Sequence, residues 1–142
     1  MFWYYIRNVE VFSLPVANFS VDDACVGEEV FFTDSSSLDV VHWAWDFGDG
    51  VGQSSLNNTS YIYTNSGFYS PRLDITSDKG CHNSLQAQIM INPLPDVDFI
   101  FNNNCEGDLS IFSDMTLLDN DSIISYLFDF GDTEYTYTDD SV

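Results

Sequence analysis

Positive charge is almost missing from this 142-residue chain: Arg7, Arg72 and Lys79 are its only cationic side chains, set against 23 Asp and Glu, for a formal charge of −20. Phosphate is gripped through lysine and arginine, so nucleic acid is not an expected partner. No apolar run approaches the length a helix needs to cross a bilayer, so these residues are not expected to insert in a membrane. The apolar residues 2–6 are too few for the core of a secretory leader, and no small-residue cleavage site follows; Met1 reads as an internal start or a fragment edge. Amphipathic helical periodicity is absent as well. Cysteine is scarce, three residues with no Cys-x-x-Cys pair and no histidine cluster nearby, which makes a cysteine metal site a weak reading. Neither His42 nor His82 is tied by pattern to a serine or cysteine nucleophile, so no catalytic constellation is legible.

Apolar and aromatic residues, at 44% and 16%, are ample for a folded core and argue against disorder despite the charge. The acidity reads first as a solvated, non-sticky surface. Divalent cations are the alternative: Asp22, Asp23, Asp34 and Asp39 could offer oxygen ligands to calcium, although no EF-hand spacing is present and the ion stays unassigned.

The informative presence is an internal echo. Trp45-Asp46-Phe47-Gly48-Asp49-Gly50 returns 83 residues later as Phe128-Asp129-Phe130-Gly131-Asp132. Pro15, Phe19, Cys25 and Asp34 return at an offset of 80 as Pro95, Phe99, Cys105 and Asp114. The three extra residues fall between Asp114 and Phe128, where they mark a loop. Run backwards, the same offset lays residues 88–95 over residues 8–15. The expected organisation is the tail of a preceding repeat in 1–14, one complete unit in 15–93, and the first part of a second in 94–142, with no counterpart of Gly67-Phe68-Tyr69 in the last.

Alternation supplies the strands. Val41, Trp43, Trp45 and Phe47 share one face, with His42, Ala44 and Asp46 on the other. The second copy keeps this with Ile124, Tyr126, Phe128 and Phe130 against Ser125, Leu127 and Asp129. Further strands are expected at Val30-Phe31-Phe32, Tyr61-Ile62-Tyr63, 69–75 and 87–91, separated by turn-rich segments. About seven short strands with turns between them point to an all-β, immunoglobulin-like antiparallel sandwich. In Phe47-Gly48-Asp49-Gly50 the glycines suit a tight hairpin that needs positive φ. The functional alternative makes Asp46 and Asp49 a carboxylate pair for acid–base or metal chemistry, which would need ligands from another loop.

Val30-x-Phe32, Trp45 to Gly50, Tyr61-x-Tyr63, Gly67-x-Tyr69 and Leu73-x-Ile75 together resemble the PKD (polycystic kidney disease) domain. The variant with Cys25-x-Gly27 early, Gly80-Cys81 late and a Pro-Leu-Pro linker is similar to tandem repeats of large Bacteroidetes surface proteins. Two departures stand out: Pro71 replaces a β-branched residue, suggesting an edge or bulge, and the second copy has Phe128 and Thr133 in place of Trp and the final Gly. The resemblance implies a Cys25–Cys81 disulfide, with Cys105 left over as the repeat of Cys25. Such a bridge contributes about 4 kcal/mol in the chain-entropy model and argues for an oxidising compartment. It further implies a non-catalytic, extracellular spacer or interaction module, adhesion-related, meeting protein or carbohydrate at the cell surface and neighbouring PKD repeats. The alternative it leaves open is an accessory substrate-binding domain beside a secreted hydrolase, with exposed aromatics on polysaccharide or collagen-like substrate.

Overall fold

The computed structural model describes residues 9–37, 39–102, 105–118 and 123–131, and the backbone of 135–139. The chain divides into two compact units, Met1–Asn92 and Pro93–Val142. All regular structure among the described residues is β.

Unit 1 holds ten strands: β1 (Phe19–Ser20), β2 (Ala24–Cys25), β3 (Glu29–Asp34), β4 (Val40–Asp46), β5 (Gln53–Ser54), β6 (Thr59–Ile62), β7 (Gly67–Tyr69), β8 (Arg72–Ser77), β9 (His82–Gln86) and β10 (Ile89–Asn92). They form an immunoglobulin-like sandwich. One sheet runs β1-β3-β6 and the other β5-β4-β8-β9, with β7-β10-β2 continuing it beyond a break at Pro71. Proline has no N–H for a ladder, and the break uses that: Pro71 is buried between β7 and β8, while its carbonyl accepts from Ala87 N–H at 3.0 Å. Alternation alone joins 69–75 into one strand and gives no sign of β9.

The inward residues of the strands meet in one cluster of Val30, Phe32, Trp45, Phe47, Tyr63, Leu73, Ile75, Ile89 and Ile91. Trp45 lies at its centre, its ring 5.1 Å from Phe19 and 5.6 Å from Phe32. The expected inner face of β4 needs one correction. Register slips between Val40 and His42, so Val40 packs against the core and Val41 is left exposed. A bulge adds one residue and reverses the alternation on its far side.

The backbone pairings put the ends of the chain segment at opposite ends of unit 1. At one end Pro15 O accepts from Asn83 Nδ2 at 2.7 Å and Asp78 N–H donates to Asp39 O at 2.9 Å. At the other, Val26 N–H donates to Asn92 O and Gly27 N–H to Tyr63 O, both at 3.0 Å. Between them run β7 and β8, from Gly67 to Ser77. This overturns the expected Cys25–Cys81 bond: both residues are thiols, as is Cys105. Cys25 pairs with Asn92 at one end, and Cys81 closes the β8–β9 turn at the other through its carbonyl to Ser77 N–H. A disulfide needs Cα atoms within about 7 Å, whereas eleven residues of extended chain span roughly 35 Å. The argument for an oxidising compartment falls with the bond.

Unit 2 holds β11 (Phe99–Phe101), β12 (Phe112–Asp114), β13 (Ser125–Asp129) and β14 (Tyr135–Asp139). β11 pairs antiparallel with β12, and β13 with β14. Three of its backbone bonds repeat those of unit 1 at the offset of 80. Ser35 N–H to Asn18 O (2.9 Å) matches Met115 to Asp98 (2.8 Å), Ser37 to Val16 (3.0 Å) matches Leu117 to Asp96 (2.9 Å), and Glu28 to Cys25 matches Asp108 to Cys105 (both 3.1 Å).

Candidate functional site

The recurring hairpin is where sequence alone would place chemistry, so its carboxylates matter most. Asp46 follows β4 into the turn, and its Oδ1 accepts from Gly48 N–H at 2.9 Å. Asp49 Oδ1 accepts from Val51 N–H at 3.0 Å and Gly52 N–H at 2.7 Å. Its Oδ2 accepts from the Tyr61 hydroxyl at 2.5 Å. These are aspartates holding their own turn. Partial burial works to raise the Asp49 pKa, but the Tyr61 hydroxyl and the N–H groups of Gly52 and Val51 together hold it below the ordinary carboxylate value. The same bond to Asp49 pushes the Tyr61 phenol up.

Beneath the turn the aromatics are locked. Trp45 Nε1 donates to Leu56 O at 2.8 Å, and Phe47 stacks on Tyr61 with centroids 4.3 Å apart. Tyr63, fully buried, donates its hydroxyl to Phe47 O at 2.8 Å. Burial first, and then the nearby Asp49 carboxylate, keep that phenol protonated far above its usual range. Gly48 has φ +78°, and a Cβ there would lie 2.8 Å from the Ser70 backbone, so any side chain meets both strain and a clash. Gly50 also turns through positive φ.

The second hairpin repeats the first cap but closes one residue tighter, with Asp129 opposite Tyr135 where Asp46 stands opposite Gln53. Asp129 Oδ1 accepts from Gly131 N–H at 2.8 Å. Phe128 and Phe130 stand where Trp45 and Phe47 stand, with Phe112 6.3 and 5.0 Å from them. Asp132 and Thr133 lie outside the described residues, as do residues 1–8.

Of the other candidate ligands, Asp23, Asp34 and Asp39 are engaged in hydrogen bonds. Asp34 accepts from Ser36 N–H (3.1 Å) and from Trp43 Nε1 (2.8 Å). Its repeat Asp114 accepts from Thr116 and Tyr126, and the Thr116 hydroxyl is the main reason its pKa is lowered. Asp23 accepts from Met90 N–H at 2.8 Å, and Asp39 from the Ser37 hydroxyl. Among the described residues no three His, Cys, Asp or Glu are arranged to hold a metal ion. His82 shares a hydrogen bond with Thr76 Oγ1 at 2.8 Å, and His42 is exposed on β4. The roles of Tyr61 and Tyr63 have no signal in the sequence beyond their Tyr-x-Tyr spacing.

Carboxylates and aromatics thus serve one hairpin and the core beneath it, in a sandwich of immunoglobulin type. Residues 13–92 match the family model of the PKD domain. The chain belongs to the PKD domain family. Among solved structures it is similar to the PKD1 domain of Vibrio anguillarum Epp, at 35% identity and TM-score 0.50, over 56% of this chain and 94% of that one. It is also similar to the PKD1 domain of the Vibrio cholerae metalloprotease PrtV, at 34% identity and TM-score 0.50, over 56% and 98%. A structure from work on carbohydrate-binding modules of the β-sandwich superfamily is similar in fold, at 24% identity and TM-score 0.53, over 66% and 49%. No curated protein matches the chain.

Proposed function

We propose that this chain is a non-catalytic spacer and interaction segment of an extracellular, adhesion-related protein built from tandem PKD domains. On this reading residues 15–93 are one complete domain, 94–142 the first part of the next, and 1–14 the tail of the one before. The observation that carries it is the placement of the ends of unit 1: Pro15 sits beside the β8–β9 turn and Asn92 at the far end of the sandwich. A domain threaded this way adds its full length to an array, and Pro93-Leu94-Pro95 stiffens the joint. The hairpin supports the non-catalytic part, since Asp46 and Asp49 are occupied by their own backbone. The matching bonds at offset 80 support the repeat. Partners would be protein or carbohydrate at the cell surface, and neighbouring PKD repeats.

A second reading has one observation in its favour. Phe31 on β3 and Phe68 on β7 are largely exposed, and PrtV, whose PKD1 domain is similar, is a metalloprotease. An accessory substrate-binding domain would use such aromatics. The complete gene separates the two: flanking PKD repeats without a catalytic domain support the spacer, and an adjoining hydrolase domain overturns it. Glycan-array and collagen binding by the chain, lost on Phe31→Ala or Phe68→Ala, would argue for the second reading even without such a gene.

A further inference from the structure

Of the strands that end a sheet in unit 1, β9 is the longest, at five residues, and among the described residues it has a strand neighbour on one side only. Its register against β8 runs without a break from Thr76 opposite His82 to Arg72 opposite Gln86. Cys81 O, which accepts from Ser77 N–H, and Ala87 N–H, which donates to Pro71 O, are both turned toward β8. In an antiparallel pair successive residues turn their N–H and C=O to opposite sides, so His82, Ser84 and Gln86 turn theirs away from β8. All three are exposed.

Sheets guard such an edge with charged side chains, proline, a bulge or a covering segment. β9 has no proline, no bulge and none of the chain's 23 acidic residues. Its cover is slight: Asn83 accepts from Ser84 N–H on its own Oδ1 at 2.9 Å and donates Nδ2 to Pro15 O. The cations beside it are matched by acids, Arg72 by Asp74 and Lys79 by Asp78, so this flank is locally neutral in a chain of −20. A neutral edge selects neither a basic nor an acidic partner, and two copies meet there with less repulsion than across their acidic surfaces.

We infer that β9 pairs antiparallel with β9 of a second copy of this chain, about a two-fold axis at Ser84, so that His82 faces the partner's Gln86 and Asn83 the partner's Leu85. The two sheets β5-β4-β8-β9 then run on as one. Ser84 N–H exchanges Asn83 Oδ1 for the carbonyl of the partner's Ser84, and half-buried Leu85 gains cover. Three outward residues a side make few bonds, so the association is weak, with a midpoint on the order of 0.1 mM. Raised salt strengthens it, because it screens −20 against −20. The inference rests on the reading of the chain as an interaction segment and names its partner as another of its own kind. On that reading neighbouring domains attach at the two ends of unit 1, while β9 runs along its flank, and aligned arrays multiply one weak contact.

Sedimentation velocity on the whole chain, from about 5 to about 500 µM in roughly 0.5 M salt, tests this. Reversible dimers are expected, weakened by about tenfold or more in Ser84→Lys, which sets like charges opposite each other on the axis. Ser84→Pro should do the same by removing an N–H that β8 does not use. The lysine lies beside Asp74 of β8 on an exposed face, so that variant keeps the thermal transition of unit 1. Amide exchange at His82, Ser84 and Gln86 should slow as concentration rises. A chain monomeric throughout, dimers that persist unchanged in Ser84→Lys, or slowing confined to other residues overturns the inference. None of these results touches the reading of the chain as part of a PKD array, which the flanking domains of the complete gene decide, so the two failures are distinguishable.

Discussion

Units 1 and 2 place the same four ring positions together, and the rings meet very different surroundings. Phe19, Phe32, Trp45 and Phe47 correspond to Phe99, Phe112, Phe128 and Phe130. Phe32 and Phe47 are each 1% exposed, against 37% and 44% for Phe112 and Phe130. The first hairpin cap, Asp46 or Asp129 to the glycine two residues on, and three of the loop hydrogen bonds recur in both. In this chain the early strands and the turn carry the local structure, while in unit 1 residues of β8 and β10 complete the burial.

The sharpest way to break that comparison is to delete its central ring. Trp45→Ala should cost unit 1 about 3–5 kcal/mol, enough to unfold a domain of ordinary stability. Phe128→Ala should cost unit 2 less, about 1–2 kcal/mol, because less contact is lost from a half-open face. Denaturant midpoints for each unit read the two values, and equal losses would mean that unit 2 is sealed after all.

The turn glycines sharpen the comparison next. Gly48 and Gly131 have φ of +78° and +76°, but a Cβ at Gly131 meets nothing within 4 Å while one at Gly48 strikes the Ser70 backbone at 2.8 Å. Gly131→Ala should cost about 1–2 kcal/mol, the left-handed penalty alone. Gly48→Ala should cost about 1 kcal/mol more, because backbone must shift. Comparable effects in thermal melts would remove the Ser70 contact from the account.

Tyr63→Phe leaves the Phe47 carbonyl buried without its donor and should cost about 1–3 kcal/mol in unit 1. A loss well under about 1 kcal/mol would show that the hydroxyl is dispensable.

The smallest effect is with pH. The Asp49 pKa is lowered in the folded state, so its contribution is fully present above the ordinary carboxylate value of about 4. It is lost as pH falls through the folded value. Asp49→Asn should flatten the acid limb of the stability profile below about pH 4 and, because the same bond raises the Tyr61 phenol, also flatten the alkaline limb above about pH 10. An unchanged acid limb contradicts the assignment.

Much of this was legible in the residues. Period-two alternation in Trp43, Trp45 and Phe47, and glycines where φ must be positive, follow from local sterics and a shared core, which sequence records directly. Other features were not legible. The bulge that exposes Val41 depends on register against β8, a strand distant in the chain. The separation of Cys25 from Cys81 depends on which end of the sandwich each turn occupies, which spacing does not encode. The bond of Tyr61 to Asp49 joins a strand of one sheet to a turn of the other, and the motif names both residues without linking them.

Hydrogen exchange on a dilute, monomeric sample of the whole chain tests the central claim most directly, that unit 1 is a sealed sandwich and unit 2 an open one. Amides of β3, β4 and β8 should be protected to the level of global unfolding, and those of β11, β12 and β13 should exchange at least about a hundredfold faster. Equal protection in the two sets of strands would contradict the account.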